Sequence, residues 1–506
     1  KIIIKITNKK KTEFFVEYVF KGENHIQTYY KIMGYEGIGI EKIFHGEYLR
    51  SLFIPVEGRF VLFIGCGDIS RLGMLEVREL AAYTAKELYA HGIFQCCMDV
   101  TAFIGKLGTG SLTEIVLGLE LGNYEYKAEH FIYGKCGQDG KEPLFPLKNM
   151  ERHEELDKKV LYHLYGIPDL EEGDRLLIEA LELAQDIIFA RDMVNTPGNI
   201  LRPMDFNRAI EQYLKDVDVE TETIVYGQLK MLGFQGLYGI GGSSEFPPCL
   251  MILRYKGNLE SPDCFGFVGK GVTCDTGGYC LKKAKSMAGI KGDMAGAAAV
   301  VGAIHAAAKQ NLKVNIVGVL PLCENRISPS SHLPGDVITS YSGKTIEILD
   351  TDAEGRLILA DAISYAVRKE KATKILDIAT LTGAVWEALG YTIGGSMSDN
   401  DAFYQLFQQG LISSGEKYLR FPFGTEHEKM MESPIADLKN TGGDCCKTIT
   451  GGLFLRHFTE NIPWIHLDIA GIAWNDTPFY AYESKGGTGA GLTSLYYMLK
   501  EAAFFL

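Results

Sequence analysis

FGFVGKGVTCDTGGYCLKKAKSMAGIKGDMAGAAA occupies residues 265–299. It opens with an apolar run of strand length, Phe265 to Gly269. Lys270 follows, then Asp275, the pair Gly277-Gly278, Lys282 and Asp293. The Ala-rich run from Met294 to Lys309 reads as a buried helix. In open α/β sheets ligands sit beyond the carboxyl ends of strands, and Lys270 and Asp275 lie in such a place. Each polar residue also has an ordinary reading. Asp293 could cap the following helix, Lys270 could be a solvated loop lysine, and the glycine pair could be a turn.

A second cluster shifts the balance toward chemistry. Asp350-Thr351-Asp352-Ala353-Glu354-Gly355-Arg356-Leu357 packs two carboxylates and a guanidinium into the five residues from Asp352 to Arg356. In an extended segment, alternate residues point the same way, so Asp352, Glu354 and Arg356 could share one face. The competing reading is a charged turn ahead of a helix, because acidic residues favour helix N-termini.

Both segments resemble the signatures of the leucine aminopeptidase (cytosol aminopeptidase) family, two-metal exopeptidases. The family octapeptide NTDAEGRL is matched at seven of eight positions, Thr351 to Leu357, and its VGKG-T-D-GG block by Val268 to Gly278. VNTPGN at 194–199, ENRISPSSHLPGDVITSYSGKTIEILD at 324–350, ATLTGA at 379–384 and HLDIAG at 466–471 follow in family order, so the resemblance spans roughly residues 190 to 500.

The resemblance implies five metal ligands: Lys270, Asp275, Asp293, Asp352 and Glu354. Asp275 and Glu354 would bridge two divalent ions, Lys270 and Asp293 would complete one site, and Asp352 the other. Four carboxylates would then balance the charge of two divalent ions. Oxygen-rich ligation suits Zn, Mn, Mg or Co, with Zn or Mn expected. Lys270 can ligate only as a neutral amine, so metal uptake should release a proton. By the same resemblance a bridging water attacks the carbonyl of a peptide's first residue. Lys282 stabilises the gem-diolate, and Arg356 holds a bicarbonate that shuttles the proton. Asp293 and its ion would recognise the free amino terminus. Ile290, Thr380, Gly383 and the segment from Ile449 to Leu453 would line the first side-chain pocket. Two positions depart from the family: Asp350 replaces asparagine, and Lys283 often replaces proline.

Composition agrees with a folded enzyme. The chain has 506 residues, 46% of them hydrophobic and 23% charged, an ordinary globular balance. A net charge of −13 disfavours a general nucleic-acid-binding surface. No uninterrupted apolar run is long enough to span a bilayer, and no signal-peptide pattern is expected from the opening residues. The 11 cysteines are odd in number and lack repeated CxxC spacing, which argues against a disulfide framework or zinc ribbon and for a reducing, cytoplasmic setting. Cys274 and Cys280 lie near Asp275 but have no His partner, so they read as packing positions.

The expected fold class is α/β with two domains: a smaller N-terminal α/β domain at 1–150, and a larger catalytic α/β domain at 193–506 with a mainly parallel central sheet. A helical linker at 151–192 would join them. In the first domain, strands are expected at Leu52–Ile54, Phe60–Ile64 and Ile115–Gly118, and a helix over Arg71–His91. Lys1 to Lys5 reads as an edge strand, and Lys9-Lys10-Lys11 as a solvated turn. Ile64-Gly65-Cys66-Gly67-Asp68 is half of a dinucleotide loop and is discounted for want of a third glycine. The resemblance further implies a metal site at one edge of the central sheet and a homohexamer. The expected partners are peptides with a free N-terminus, with neither membrane nor nucleic acid. The leading function is a metal-dependent aminopeptidase. The alternatives are a narrow dipeptidase, such as one for cysteinylglycine, and a regulatory or binding protein with incidental catalysis.

Overall fold

Alternating strand and helix patterns produce two sheets, each in its own compact unit of this computed structural model. The structure describes residues 2–8, 12–21, 44–56, 59–126 and 160–505. One unit holds described residues up to Glu125, residues 160–185 and Pro478–Ser484. The other holds Asp186–Thr477 and the chain from Lys485 onward.

In the first unit, β1 (Ile2–Thr7), β2 (Phe14–Phe20), β3 (Ser51–Val56), β4 (Arg59–Gly67), β5 (Gln95–Asp99) and β6 (Val160–Tyr165) form one sheet in the order β1-β6-β5-β2-β4-β3. Every pairing is parallel except β3 with β4. β1 is an edge strand, as its sequence suggests. The half dinucleotide loop is largely strand, since β4 runs through Gly67.

Two expectations are corrected here. Ile115–Gly118 is not a strand but part of helix α2 (Ser111–Gly122), which packs on α1 (Met74–Ala90). Every residue of α2 is buried, so its apolar pattern runs all round and shows no helical period. Gly118 permits the close approach, because a Cβ there would fall 2.3 Å from the Arg78 carbonyl oxygen. A buried Arg78–Glu114 ion pair at 2.7 Å links the same helices. The expected 151–192 linker also contributes more than a connection. Its residues 160–165 form β6, hydrogen-bonded between β1 and β5, and α3 (Leu170–Asn195) follows. The Lys9–Lys11 turn and the polar stretch at 151–159 lie outside the described residues.

The second unit is built on β7 (Glu220–Val225), β8 (Cys249–Lys256), β9 (Phe265–Gly269), β10 (Gly271–Asp275), β11 (Asn315–Asn325), β12 (Lys374–Ala379), β13 (Gly394–Ser398), β14 (Tyr418–Arg420) and β15 (Trp464–Asp468). Their order is β14-β13-β15-β12-β9-β11-β8-β7, with β10 paired to β11. The centre, β15-β12-β9-β11, is parallel throughout. β9 is wholly buried, which is why it reads as an unbroken apolar run. Helices α4 (Ala295–Lys309) and α5 (Glu354–Arg368) pack against these strands. The stretch Ala284–Lys309 is long and apolar enough to cross a membrane by length and composition, although Lys285, Lys291 and Asp293 interrupt it. Its Ala295–Ala308 part is buried throughout, as the core helix of a folded protein is.

Candidate metal centre

Three loops meet beyond the carboxyl ends of β9, β10, β11 and β12. The site therefore lies at the carboxyl edge of the central strands and not beside an outer strand. Lys270 follows β9 directly. Its N–H donates to the Ile378 carbonyl at 3.1 Å, and its carbonyl accepts from Ala297 N–H at 2.9 Å. Asp275 ends β10. Asp293 closes the short 3-10 segment Ala284–Gly292, and Met294, not Asp293, is the cap residue of α4. Asp352 lies in the turn ahead of α5, and Glu354 is the first residue of that helix.

The side chains converge. Lys270 Nζ is 2.7 Å from Asp293 Oδ2, 2.9 Å from Glu354 Oε1 and 3.0 Å from the Thr380 carbonyl oxygen. Lys282 Nζ is 2.7 Å from Asp275 Oδ2 and also contacts Asp352 Oδ1. Carboxylate oxygens of Asp275, Asp293 and Glu354 lie within 4.8 Å of one another. Thr380 Oγ1 donates to Asp293 Oδ1 at 2.7 Å. All five expected ligands and Lys282 are thus brought together, and Thr380 joins them directly.

The electrostatics call for cations. Among the described residues, four carboxylates face two ammonium groups, Lys270 and Lys282. Burial pushes the Asp352 carboxyl up to about 7, assisted by Asp275 and Glu354 and opposed by Lys282. Burial also raises Asp293 and Glu354, with Lys270 opposing. Burial alone would lower Lys270, but Asp293, Glu354 and Asp275 outweigh it and hold it above the usual lysine range. Two ammonium groups lodged among mutually repelling carboxylates are the arrangement expected where divalent cations are to bind, and the oxygen-rich donor set fits them.

Arg356 departs from its expected place. The Asp352-Glu354-Arg356 segment is not extended, because α5 begins at Glu354. On a helix, residues two apart diverge by about 200°. The acidic turn before a helix is the correct local reading. Arg356 is therefore displaced around the helix from Glu354, though Glu354 still acts on its charge. Its Nη1 donates to the Asn440 carbonyl at 2.8 Å, and its buried Nε finds no hydrogen-bond partner among the described residues. Gly451, in helix α6 (Lys447–Arg456), leaves room beside it: a Cβ there would stand 3.2 Å from Arg356 Nη2.

Of the expected pocket residues, Ile290 is half-buried in the 3-10 segment, Gly383 opens a short helix, and Leu453 belongs to the core. Cys274 is buried, and Cys280 Sγ accepts from Thr351 N–H at 3.4 Å, which ties the two signature segments together. Asp350 Oδ1 accepts from Asp352 N–H at 2.9 Å and so shapes the turn. Lys283 has φ −66°, the value a proline ring would impose, so the family's proline suits this backbone.

Sequence reasoning missed three residues. Asn325 Nδ2 donates to Asp275 Oδ1 and to the Thr351 carbonyl, both at 3.0 Å. Its position at the carboxyl end of β11 is the signal that could have found it. Asn440 binds the 349–350 backbone and Arg356. Gly355 leaves space for Lys270, since a Cβ there would lie 2.5 Å from Lys270 Cε.

Residues 188–496 match the model of the cytosol aminopeptidase family's catalytic domain, and residues 41–129 that of its N-terminal domain. With the carboxylate cluster at the sheet edge, this makes the chain a metal-dependent aminopeptidase. It belongs to the cytosol aminopeptidase family. It is 38% identical over 440 residues to a probable cytosol aminopeptidase of Clostridium perfringens, covering 86% of this chain and 85% of that one. A probable cytosol aminopeptidase of Alkaliphilus oremlandii is 35% identical over 493 residues, 95% of each chain. Among solved structures, the bottromycin maturation enzyme BotP superposes with a TM-score of 0.83 at 27% identity, covering 98% of this chain and 100% of BotP. BotP in complex with Mn gives 0.82 at the same identity, covering 97% and 99%.

Proposed function

We propose that the chain removes the N-terminal residue from peptides at this cluster, with Asp275, Asp293, Asp352, Glu354 and a neutral Lys270 holding two divalent ions. The observation that carries the reading is the convergence of four carboxylates and Lys270 from segments far apart in sequence. Asp275 and Glu354 would bridge the ions, which are Zn or Mn by preference, with Co or Mg as substitutes. When bound, such ions polarise the scissile carbonyl and acidify the attacking water.

The remaining work falls to this chain's own side chains. Lys282 is only partly buried, and its ammonium would face the oxyanion that develops on the substrate carbonyl. Burial opposes that charge, but Asp275, Glu354 and Asp352 hold Lys282 above the usual lysine range. Arg356, held by Asn440 with one buried N–H unspent, suits a planar oxyanion and would hold bicarbonate as the proton shuttle. Asp293 would receive the substrate's free amino group, and Ile290, Thr380 and Gly383 the first side chain. A homohexamer working in the cytoplasm completes the reading.

The test is hydrolysis of amino-acyl anilides and dipeptides, after chelation and after restoring Zn, Mn or Co. Absence of turnover with every metal would sink the reaction, and chelator-resistant turnover would sink the two-ion centre. Activity confined to dipeptides would favour the narrower enzyme.

A further inference from the structure

Cys445 and Cys446 are the two exposed cysteines among the described residues, and they are neighbours in sequence. Burial and the neighbouring Cys445 raise the Cys446 thiol above its usual value. Cys446 has φ 54° and ψ 28°, a left-handed conformation unusual for a residue with a side chain, and it caps the N-terminus of α6. Its carbonyl accepts from Thr450 N–H at 2.9 Å.

The pair sits in a loop tied on both sides to the site. Upstream, Asn440 holds Arg356 Nη1 at 2.8 Å and clamps the 349–350 backbone. Gly442 packs on Thr450, where a Cβ would come within 2.6 Å of Thr450 Cγ2. Downstream, Thr448 Oγ1 is 2.9 Å from Thr382 Oγ1, in the turn that follows Thr380. A rearrangement at 445–446 is therefore bounded by contacts to Arg356 and to the loop beside Lys270.

We propose that Cys445 and Cys446 form a reversible oxidation site at which a hydroperoxide closes a disulfide between the two, shifting Asn440 and α6 and so slowing catalysis. One sulfur attacks a peroxide oxygen, the O–O bond breaks, and a sulfenic acid and one water or alcohol result. The second sulfur displaces the hydroxyl, which leaves as water. Two S–H bonds are lost, one S–S bond forms, and the peroxide takes the two electrons. Adjacent Cα atoms stand about 3.8 Å apart, less than the roughly 4.4–6.8 Å that disulfides usually span. Closing the ring must therefore turn the backbone at 445–446, where left-handed Cys446 already departs from ordinary geometry. An exposed, strained disulfide is also the kind that reductant reopens readily. The effect on rate rests on the proposed role of Arg356, but the chemistry of the pair does not.

The experiment treats the metal-loaded enzyme with hydrogen peroxide, follows peptide hydrolysis, and weighs the proteolytic fragment holding residues 445–446. The expected result is a fragment about 2 Da lighter, a loss of about tenfold or more in rate for a displaced catalytic group, and recovery with dithiothreitol. The Cys445→Ser/Cys446→Ser double variant should keep its basal rate and ignore the peroxide at the same dose. An unchanged fragment mass overturns the site, and so does equal inhibition of the double variant. A lighter fragment with undiminished rate overturns the coupling to Arg356 while leaving the hydrolytic reading intact.

Discussion

Gly355→Ala tests whether Lys270 must occupy its observed place. The new methyl would fall 2.5 Å from Lys270 Cε and 2.8 Å from Nζ. Elsewhere a lysine tip could swing aside. Here it is buried and held by Asp293, Glu354 and the Thr380 carbonyl. Two effects oppose each other. Alanine in a helix is favoured over glycine by about 1 kcal/mol, whereas displacing Lys270 forfeits at least one charge-assisted hydrogen bond, about 1.5–3 kcal/mol. Overall stability should change little, but the lysine can no longer reach its site. At about 1.4 kcal/mol per tenfold, binding of the ion that depends on Lys270 should weaken roughly 10- to 100-fold. Calorimetric titration of Zn or Mn into chelator-stripped protein measures this, with thermal melting run alongside. Gly227→Ala is the control, since its Cβ would meet nothing within 4 Å. Metal binding by Gly355→Ala indistinguishable from wild type would refute the assignment of Lys270 as a ligand.

Other outcomes follow from the same contacts. Asn325→Ala removes the amide that orients Asp275, so metal affinity should fall about 10- to 100-fold, read by the same titration. Metal uptake should weaken as pH falls through about 7, because the Asp352 carboxyl, raised to about 7 by burial and its acidic neighbours, then keeps its proton. Lys270 must likewise release a proton to ligate. Affinity that stays flat from about pH 6 to 9 would contradict both. His466 is buried, which disfavours its imidazolium, but the Asp377 carboxylate 2.5 Å away outweighs burial and raises its pKa above the usual value. A raised folded-state pKa gives stability that is complete below about 6.5 and lost as pH rises through the folded value. Denaturant unfolding should show wild type's advantage over His466→Asn shrinking from pH 6 upward, and an advantage that grew with pH would refute the pair.

Much of this protein is written in local sequence. β9 could be read because a strand buried on both faces is an unbroken apolar run, and α4 because its alanines favour helix. The residue types of the cluster were legible as well: only carboxylates and a buried lysine at those spacings match the family's pattern, and all of them meet. Tertiary structure decided what local patterns could not carry. α2 reads as a strand because burial on every side erases its period. Residues 160–165 join the first sheet through pairing with strands distant in sequence. Arg356 leaves the acidic face because α5 begins two residues before it, and Asn440, remote in the chain, supplies its partner. Asn325 and Gly355 acquire their roles only when Asp275 and Lys270 are folded against them. Sequence supplied the donors, and the fold's long-range contacts set where each one points.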